Sequence, residues 1–362
     1  AYSMFRYKEP KLKLREGEFN DFDLMLFTKI IVFDHLRQKI FIIINIGRDN
    51  LEDGFRKANE ELAEMEGIIH SAMPAATPVP RECSGFQCNM SMEDYCKVVE
   101  RTKKHIREGD IFQAVLSRRF SANMKGSLVN AYRVLRTTNP SPYMVYLKMD
   151  DLELMCSSPE TLIRLRDGCL TTFPIAGSRP RGKTKEEDDL LEKELLRDEK
   201  ELSEHNMLVD LGRNDLGMIS KIGSVRVTEY MAIHRYSKIM HICSRVEGGI
   251  LPGCDALHAI EAVLPAGTLS GAPKIRACEI IEELEAEPRG IYGGALGYID
   301  FSGNMDTCIA IRMAVKKGDT VHVQAGGGIV ADSVPEREFE ESGNKASALM
   351  NAVIRAKEVD CI

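Results

Sequence analysis

The chain has 362 residues, 44% of them hydrophobic, and a formal net charge of −7. That is enough for a large core, in two domains or in one composite domain. The acidic balance weighs against nucleic acid, polyanions and membrane surfaces as partners, and no apolar run approaches the roughly 20 residues of a membrane span.

In chain order, the start "AYSMFRYKEP" has neither an initiator Met nor a helix start and carries no signal peptide, so an N-terminal part is expected to be missing. Two β-rich runs around "DHLRQ" predict a hairpin from about Leu24 to Ile46. "LEDGFRKANEELAEMEGIIH" predicts a charged amphipathic helix, and residues 71–90, with three prolines and no period, predict a linker or loop. Ser91 with Asp94 is a capping-box pattern that opens the next helix. "IFQAVLSRRF" reads as a strand, "YMVYLKMDDLELMCSS" as a hairpin, and "TLIRLRDGCLTTF" as another turning at Asp167-Gly168. Thr184 and Glu187 form a capping box for one long helix stopping near Gly212. "MDTCIAIRMAVKKGDTVHVQAGGGIV" predicts a third hairpin turning at Gly318-Asp319. The last helix carries the stripe Ala346, Leu349, Met350, Val353, Ile354. Hairpins separated by long helices predict an α+β fold, with large antiparallel sheets packed together and covered by helices. Ten cysteines occur without any CxxC; Cys83, Cys88 and Cys96 are the nearest set, which reads as reduced cytoplasmic thiols rather than a zinc site.

Positions three apart share a helix face. Glu201 and Glu204 have that spacing, as do Glu338 and Glu341. Taken singly, each pair reads most simply as a solvated face with ion pairs such as Glu341 with Lys345. Facing each other, four carboxylates would repel unless a cation intervened. Mg2+ suits such a setting, because it prefers oxygen, keeps several waters and takes one or two carboxylates plus an anionic ligand. In "CIAIRMAV", read as one strand, Ile309, Ile311, Met313 and Val315 alternate with Cys308, Ala310, Arg312 and Ala314. Arg312 on the small face is either an edge-strand Arg in water or the bidentate partner of a carboxylate. "AGGGIV" follows a strand, and its glycines let backbone N–H groups approach an anion closely. "GTLSGAPK" has the wrong glycine spacing for a Walker A loop, although Thr268 and Ser270 offer hydroxyls. His241 lies in an apolar run, where a core histidine is the commoner reading, and Glu160 follows a strand end at "SSPE".

Together, "GDIFQAVLSRRF", "NPSPYM", "SSPE", "FPIAGSRPRG", "ELSEHNMLVDLGRND", "RYSKIMHICSRV", "GTLSGAPK", "YGGALGY", "DTCIAIRMA", "VQAGGGIVADS" and "NKA" resemble the chorismate-utilising enzymes, most closely their anthranilate synthase component I branch. The resemblance runs from about Ser91 to the C-terminus and more loosely back to Leu24. It implies a remnant of an N-terminal domain over 1–70, a linker over 71–90 and a chorismate-binding catalytic domain over 91–362. It implies that Glu204 and Glu341 ligate Mg2+, with Glu201 and Glu338 beside them through waters. Glu160 matches the acid that protonates the departing 4-hydroxyl, and His241 the histidine associated with pyruvate elimination. Arg312, Tyr292, Gly326, Gly327 and Gly328 match the grip on the enolpyruvyl side, while Gly177, Ser178, Thr268 and Lys345 line the same cleft. Ser178 stands where the family usually has threonine, and the hydroxyl is kept.

Relatives that add water carry a lysine at the position of Gln113, and aminodeoxychorismate synthase a lysine at that of Ala176. Gln113 with Ala176 therefore implies ammonia as nucleophile, added at ring carbon 2, followed by pyruvate loss to give anthranilate, the first committed step of tryptophan biosynthesis. No cysteine sits in a GxCxG elbow, so a separate glutaminase subunit is implied as the ammonia source, in a hetero-oligomer. Pro142, Tyr143 and Met144 match half of the family's tryptophan feedback site; its other half, a Leu-Glu-Ser segment, is absent from this sequence, which leaves tryptophan inhibition open. The alternatives are aminodeoxychorismate synthase component I and an inactive fragment that binds chorismate or tryptophan.

Overall fold

The computed structural model describes residues 9, 12, 14–71, 82–236 and 239–359. The chain divides into two compact units, Phe22–Pro78 with Asp360–Ile362, and Ala1–Asp21 with Val79–Val359. In the smaller unit, β1 (Lys29–Asp34) and β2 (Lys39–Ile44) form the expected antiparallel hairpin, with Asp34 opposite Lys39. The helix α1 (Leu51–His70) follows, capped by Asn50, whose side chain accepts from the Asp53 N–H.

In the larger unit, β3 (Glu82–Cys83) and β4 (Gln87–Cys88) are short strands against β5 (Gln113–Lys125). They take up part of the segment expected as a linker; residues 72–81 of it lie outside the described residues. Helix α2 (Met92–Arg107) starts as its cap predicts: the Ser91 side chain accepts from the Asp94 N–H. Then come α3 (Val129–Thr138), β6 (Tyr143–Met149), β7 (Leu152–Ser158), β8 (Thr161–Arg166), β9 (Cys169–Thr172) and β10 (Ile175–Pro180). Helices α4 (Lys185–Leu195) and α5 (Glu199–Gly217) precede β11 (Arg226–Arg235) and β12 (Ile239–Gly249). The chain continues through α6 (Ala256–Val263), β13 (Gly271–Ala272), α7 (Lys274–Leu284), β14 (Ala295–Ile299), β15 (Met305–Ile309), β16 (Met313–Lys317), β17 (Thr320–Ile329) and α8 (Pro335–Arg355).

The strands make two large antiparallel sheets. One runs β10-β12-β9-β8-β15-β14, with β11 on β12; the other runs β13-β5-β17-β16-β7-β6, with β3 and β4 on β5. Helices supply the second layer. Val209 and Leu216 of α5 and Ala259 and Val263 of α6 close a core over Ile163, Leu170 and Val246 of the first sheet. Leu135 of α3 and Ala346, Leu349 and Val353 of α8 do the same over Phe120, Val321 and Val323 of the second. The α8 stripe fades at its end, where Ile354 is exposed.

Two expected elements are divided. The long helix after Thr184 breaks at Leu196, because Asp198 adopts an extended backbone and caps a new helix, accepting from the Lys200 and Glu201 N–H groups. The Thr184 box is half made: its hydroxyl accepts from Glu187 N–H, but the Glu187 carboxylate accepts from Lys183 N–H. The run "CIAIRMAV" is not one strand. It leaves the first sheet after Ile309 and enters the second at Met313, and Arg312 turns the corner with φ 50°. The alternation read there as two faces is two sheets meeting, so Cys308, Ile309, Ala310 and Met313 are all buried.

His205, on α5, is fully buried with Nε2 2.6 Å from Ser244 Oγ of β12, and burial pushes its pKa down to about 4. The unfolded chain takes that proton first, so stability is full above pH 6.5 and falls as pH drops toward 4, by about 3 kcal/mol from this group. Unfolding midpoints at pH 4.5 and 7.5 are expected to differ less in His205→Asn than in wild type; an equal difference would assign the acid lability to other groups.

Candidate active site

Helix α5 packs beside β10 and β12, and α8 lies on β17. This puts the two acidic faces opposite each other. Burial raises the pKa of Glu204, and Glu201 on its own helix and Glu341 on the other add repulsion, which Lys200 and Lys345 partly offset. Glu338 is raised for the same reasons, by burial first and then by Glu341, while Ser333, Lys345 and Lys200 pull it down. Lysine links the faces to the sheet: Lys345 Nζ is 2.7 Å from Glu341 Oε1 and donates to the Gly326 carbonyl at 3.1 Å. Arg179 of β10 holds the start of α5, reaching its cap Asp198 at 2.8 Å and Glu201 at 3.6 Å, and also Glu194 of α4 at 3.2 Å.

The four acids do not close into a tight cage. Among the described residues, one trio of His, Cys, Asp or Glu ligand atoms lies mutually within 4.8 Å, and it is His105, Glu108 and Asp110 at the end of α2. There Asp110 is already held by His105 at 2.8 Å and Arg276 at 3.2 Å, so salt pairing accounts for it. Repulsion and the Arg179 and Lys345 pairs hold the predicted set further apart.

The glycines of β17 work through the room they leave. A Cβ at Gly327 would sit 3.0 Å from Glu338 Oε2, and one at Gly328 would sit 2.4 Å from Gln113 Nε2. Within the ladder their backbone pairs with β5, Gly326 with Ser117 and Gly328 with Val115. Beyond Val323 no pairing with β16 is made, so this glycine stretch is paired on its β5 side alone and also admits close side-chain approach. Gln113 is 5% exposed, and its Oε1 is buried without a hydrogen-bond partner. Such an atom costs about 1–3 kcal/mol unless something donates to it.

His241 of β12 pairs across the ladder with Ser178, and its Nδ1 is 3.3 Å from the Gly177 carbonyl. A carbonyl only accepts, so Nδ1 carries the proton and Nε2 keeps its lone pair. Burial holds the His241 pKa below the usual imidazole value; Arg312 adds to this and the Gly177 contact opposes it. Gly177 has φ 71°, and a Cβ there would meet Glu201 Oε2 at 3.2 Å, which ties this group to the acids. Arg312 is half-buried and feels Tyr292, which is itself buried, raised to about 12 by burial, and close to the Gly326 backbone.

Glu160 sits just past β7, where its carbonyl accepts from the Ile309 N–H at 3.0 Å. Crowding by protein around the carboxyl pushes its pKa up to about 7, with Thr268 pulling slightly the other way. No bond of normal length joins the two, and Thr268 Oγ1 is buried without a partner. Both line a cavity of about 50 Å3 with Leu211, Gly212 and Asp215. Pro142, Tyr143 and Met144 lead into and open β6. The Tyr143 hydroxyl is spent on Asp306 at 2.7 Å and Thr161 at 2.8 Å, and Met144 Sδ takes the Ser141 N–H at 3.4 Å.

Arg179 and the buried pair Arg289–Glu285, 2.6 Å apart beneath Tyr292, were not singled out by sequence reasoning. Arg179 lies in "FPIAGSRPRG", where it carried no assignment, and Arg289 lies just outside "YGGALGY".

The family described as chorismate binding enzyme matches residues 1–351. The chain belongs to that family. Chorismate binding relatives similar to it include anthranilate synthase component 1 of Acetivibrio thermocellus, 46% identical over 369 residues, which cover 99% of this chain and 75% of that one. The protein of the same name from Aquifex aeolicus (strain VF5) is 47% identical over 364 residues, covering 99% and 74%. The solved structure of anthranilate synthase component I from Streptococcus pneumoniae TIGR4 superposes with a TM-score of 0.84 at 39% identity, over 96% of this chain and 78% of that one. The α+β architecture of this chain is that of the family. No described helix is long and apolar enough to cross a membrane.

Proposed function

We propose that this chorismate binding enzyme aminates chorismate with ammonia and then eliminates pyruvate to give anthranilate. The observation that supports the reading is the approach of the two acidic faces, Glu204 feeling Glu341 across from it, with Arg312 near His241; the resemblance adds uncharged Gln113 and Ala176 at the positions that select the nucleophile. Residues 91–362 form the catalytic region in this reading, in the cytoplasm. A separate glutaminase subunit supplies the ammonia, and the Pro142-Tyr143-Met144 segment belongs to a partial tryptophan site.

The donor set fits Mg2+: all oxygen and anionic, with Glu204 and Glu338 raised in pKa by burial first and by neighbouring acids second, and not drawn into a tight cluster. Glu204 and Glu341 would hold the ion, with Glu201 and Glu338 behind waters. When bound it supplies a Lewis acid for the ring carboxylate. Arg312 and Tyr292 grip the enolpyruvyl carboxylate, and Gln113 Oε1 accepts a hydrogen bond from the incoming ammonia. As nitrogen bonds to ring carbon 2, both ring double bonds move one position around the ring toward carbon 4, and Glu160 gives its proton to the 4-hydroxyl, which leaves as water. With a pKa near 7, Glu160 keeps a proton in a large share of molecules at neutral pH, unlike an ordinary carboxyl. His241 Nε2 then takes the proton from carbon 2, the enolpyruvyl group leaves as enolpyruvate and ketonises, and the ring becomes aromatic.

Incubation with chorismate, ammonium and Mg2+ tests the reading: blue-fluorescent anthranilate and equimolar pyruvate are expected. Aminodeoxychorismate without pyruvate would overturn it. His241→Ala is expected to slow pyruvate release about 100-fold and amination much less, so that the aminated intermediate accumulates in single-turnover traces; equal slowing of both steps would remove His241 from the second step.

A further inference from the structure

β5 carries a buried guanidinium that the chemistry above leaves unused. Arg118 is 3% exposed, and its donors go to uncharged groups. Its Nε donates to Ser342 Oγ at 2.9 Å, one Nη donates to the Phe339 carbonyl, and the other reaches Cys88 Sγ at 3.7 Å. Its Cζ lies 3.6 Å from the centre of the Phe339 ring and 5.0 Å from that of Phe120. Ser342 donates its own hydroxyl hydrogen to the Phe339 carbonyl at 2.9 Å, so the three groups form one closed unit. A buried cation is costly, and here π faces and a carbonyl dipole compensate it.

The placement of that unit matters. Arg118 stands opposite Ala325 on β17 and so shares a sheet face with Gly327, whose missing side chain leaves room for Glu338. The two α8 residues it grips, Phe339 and Ser342, each follow one of the two acids, Glu338 and Glu341. Successive residues lie about 100° apart around a helix. Holding 339 and 342 against the sheet therefore sets both the rotation and the height of the turn that bears 338 and 341. Gly343 completes the fit, since a Cβ there would come within 3.1 Å of the guanidinium.

We propose that Arg118 is a positioning residue for the acidic face of α8: its planar fork and stacking set where Glu338 and Glu341 stand, and with them the affinity of the cleft for a divalent cation. This rests on the reading of that face as a cation site. The role needs the fork and the flat face of Arg, not only its charge, so Lys is not a substitute.

The test uses Mn2+ as the probe, its binding to the whole protein followed by the loss of the free-ion paramagnetic signal, with circular dichroism and unfolding midpoint measured alongside. Arg118→Lys keeps the charge and loses the fork. It is expected to bind Mn2+ about tenfold more weakly, and to need about tenfold more Mg2+ for half-maximal anthranilate formation. The KM for chorismate at saturating Mg2+ is expected to stay within about twofold. Wild-type Mn2+ affinity in a folded Arg118→Lys protein would overturn the proposal, because charge alone would then suffice. Should Arg118→Lys not fold, Ser342→Ala carries the test, as it removes the acceptor of Arg118 Nε, and with it the hydroxyl's bond to the Phe339 carbonyl, while leaving the guanidinium in place. Its Mn2+ affinity is expected to fall about threefold, and an unchanged value would overturn the proposal. If wild type binds no Mn2+, the cation reading itself falls, and that result is seen before any variant is made.

Discussion

Glu341→Gln is expected to abolish Mg2+-dependent anthranilate formation, lowering kcat/KM by about a thousandfold, which corresponds to about 4 kcal/mol of transition-state stabilisation. Stability is expected to hold. The Glu341 side chain is 56% exposed, and its pair with Lys345 is a surface pair of the kind worth about 0–1 kcal/mol. Removing its charge also relieves Glu204 and Glu338, both of which it now pushes up. An unfolding midpoint at or slightly above that of wild type, with activity lost at every Mg2+ concentration, is the expected pair of results. Activity restored at high Mg2+ would make Glu341 an outer neighbour rather than a ligand.

Glu160→Gln is the second large effect. Loss of a positioned acid lowers rate by about 100- to 10,000-fold, and the shape of the pH profile changes with it. In wild type the acid must be protonated, so turnover falls as pH rises through about 7. The variant is expected to lose that limb while keeping the acid-side limb set by His241, whose pKa is depressed. Stability runs the other way. A carboxyl whose folded pKa is raised stabilises the fold fully below its unfolded value, and that contribution disappears as pH rises through 7. The Gln variant is therefore expected to be more stable than wild type at pH 8 and equal to it at pH 4. A wild-type alkaline limb in the variant would assign that limb to another group.

What the sequence made legible was local. Ser91 caps α2 through Asp94 three residues away, and the stripe Ala346, Leu349, Val353 buries where its period puts it, because both signals span a few residues. The acid pairs were legible as faces, but their meeting depends on where α5 and α8 dock. The corner at Arg312 was hidden for a different reason. Its alternation is that of a strand, and only the transfer of the chain from one sheet to the other demands the positive φ. Asp198 reads as one more acid in a charged run, yet its extended backbone ends one helix and starts the next. Arg118 and Arg179 act on partners from 15 to more than 200 residues away, so no short window of sequence reveals what they hold, whereas Arg289 grips Glu285 four residues away and also reaches the distant Val115 carbonyl.

The glycines of β17 bear on how damage to this protein would be recognised. Where most core substitutions destabilise a protein, a methyl group at Gly328 meets the tip of Gln113, a flexible side chain that can turn aside at small energetic expense. Gly328→Ala would therefore leave a normal quantity of folded protein whose amide no longer faces the nucleophile. In a screen that reads abundance and growth on separate axes, Gly328→Ala would fall in the quadrant of plentiful but inactive variants, and Gly326→Ala, whose methyl would meet the Leu116 carbonyl oxygen at 2.0 Å, in that of variants lost from both.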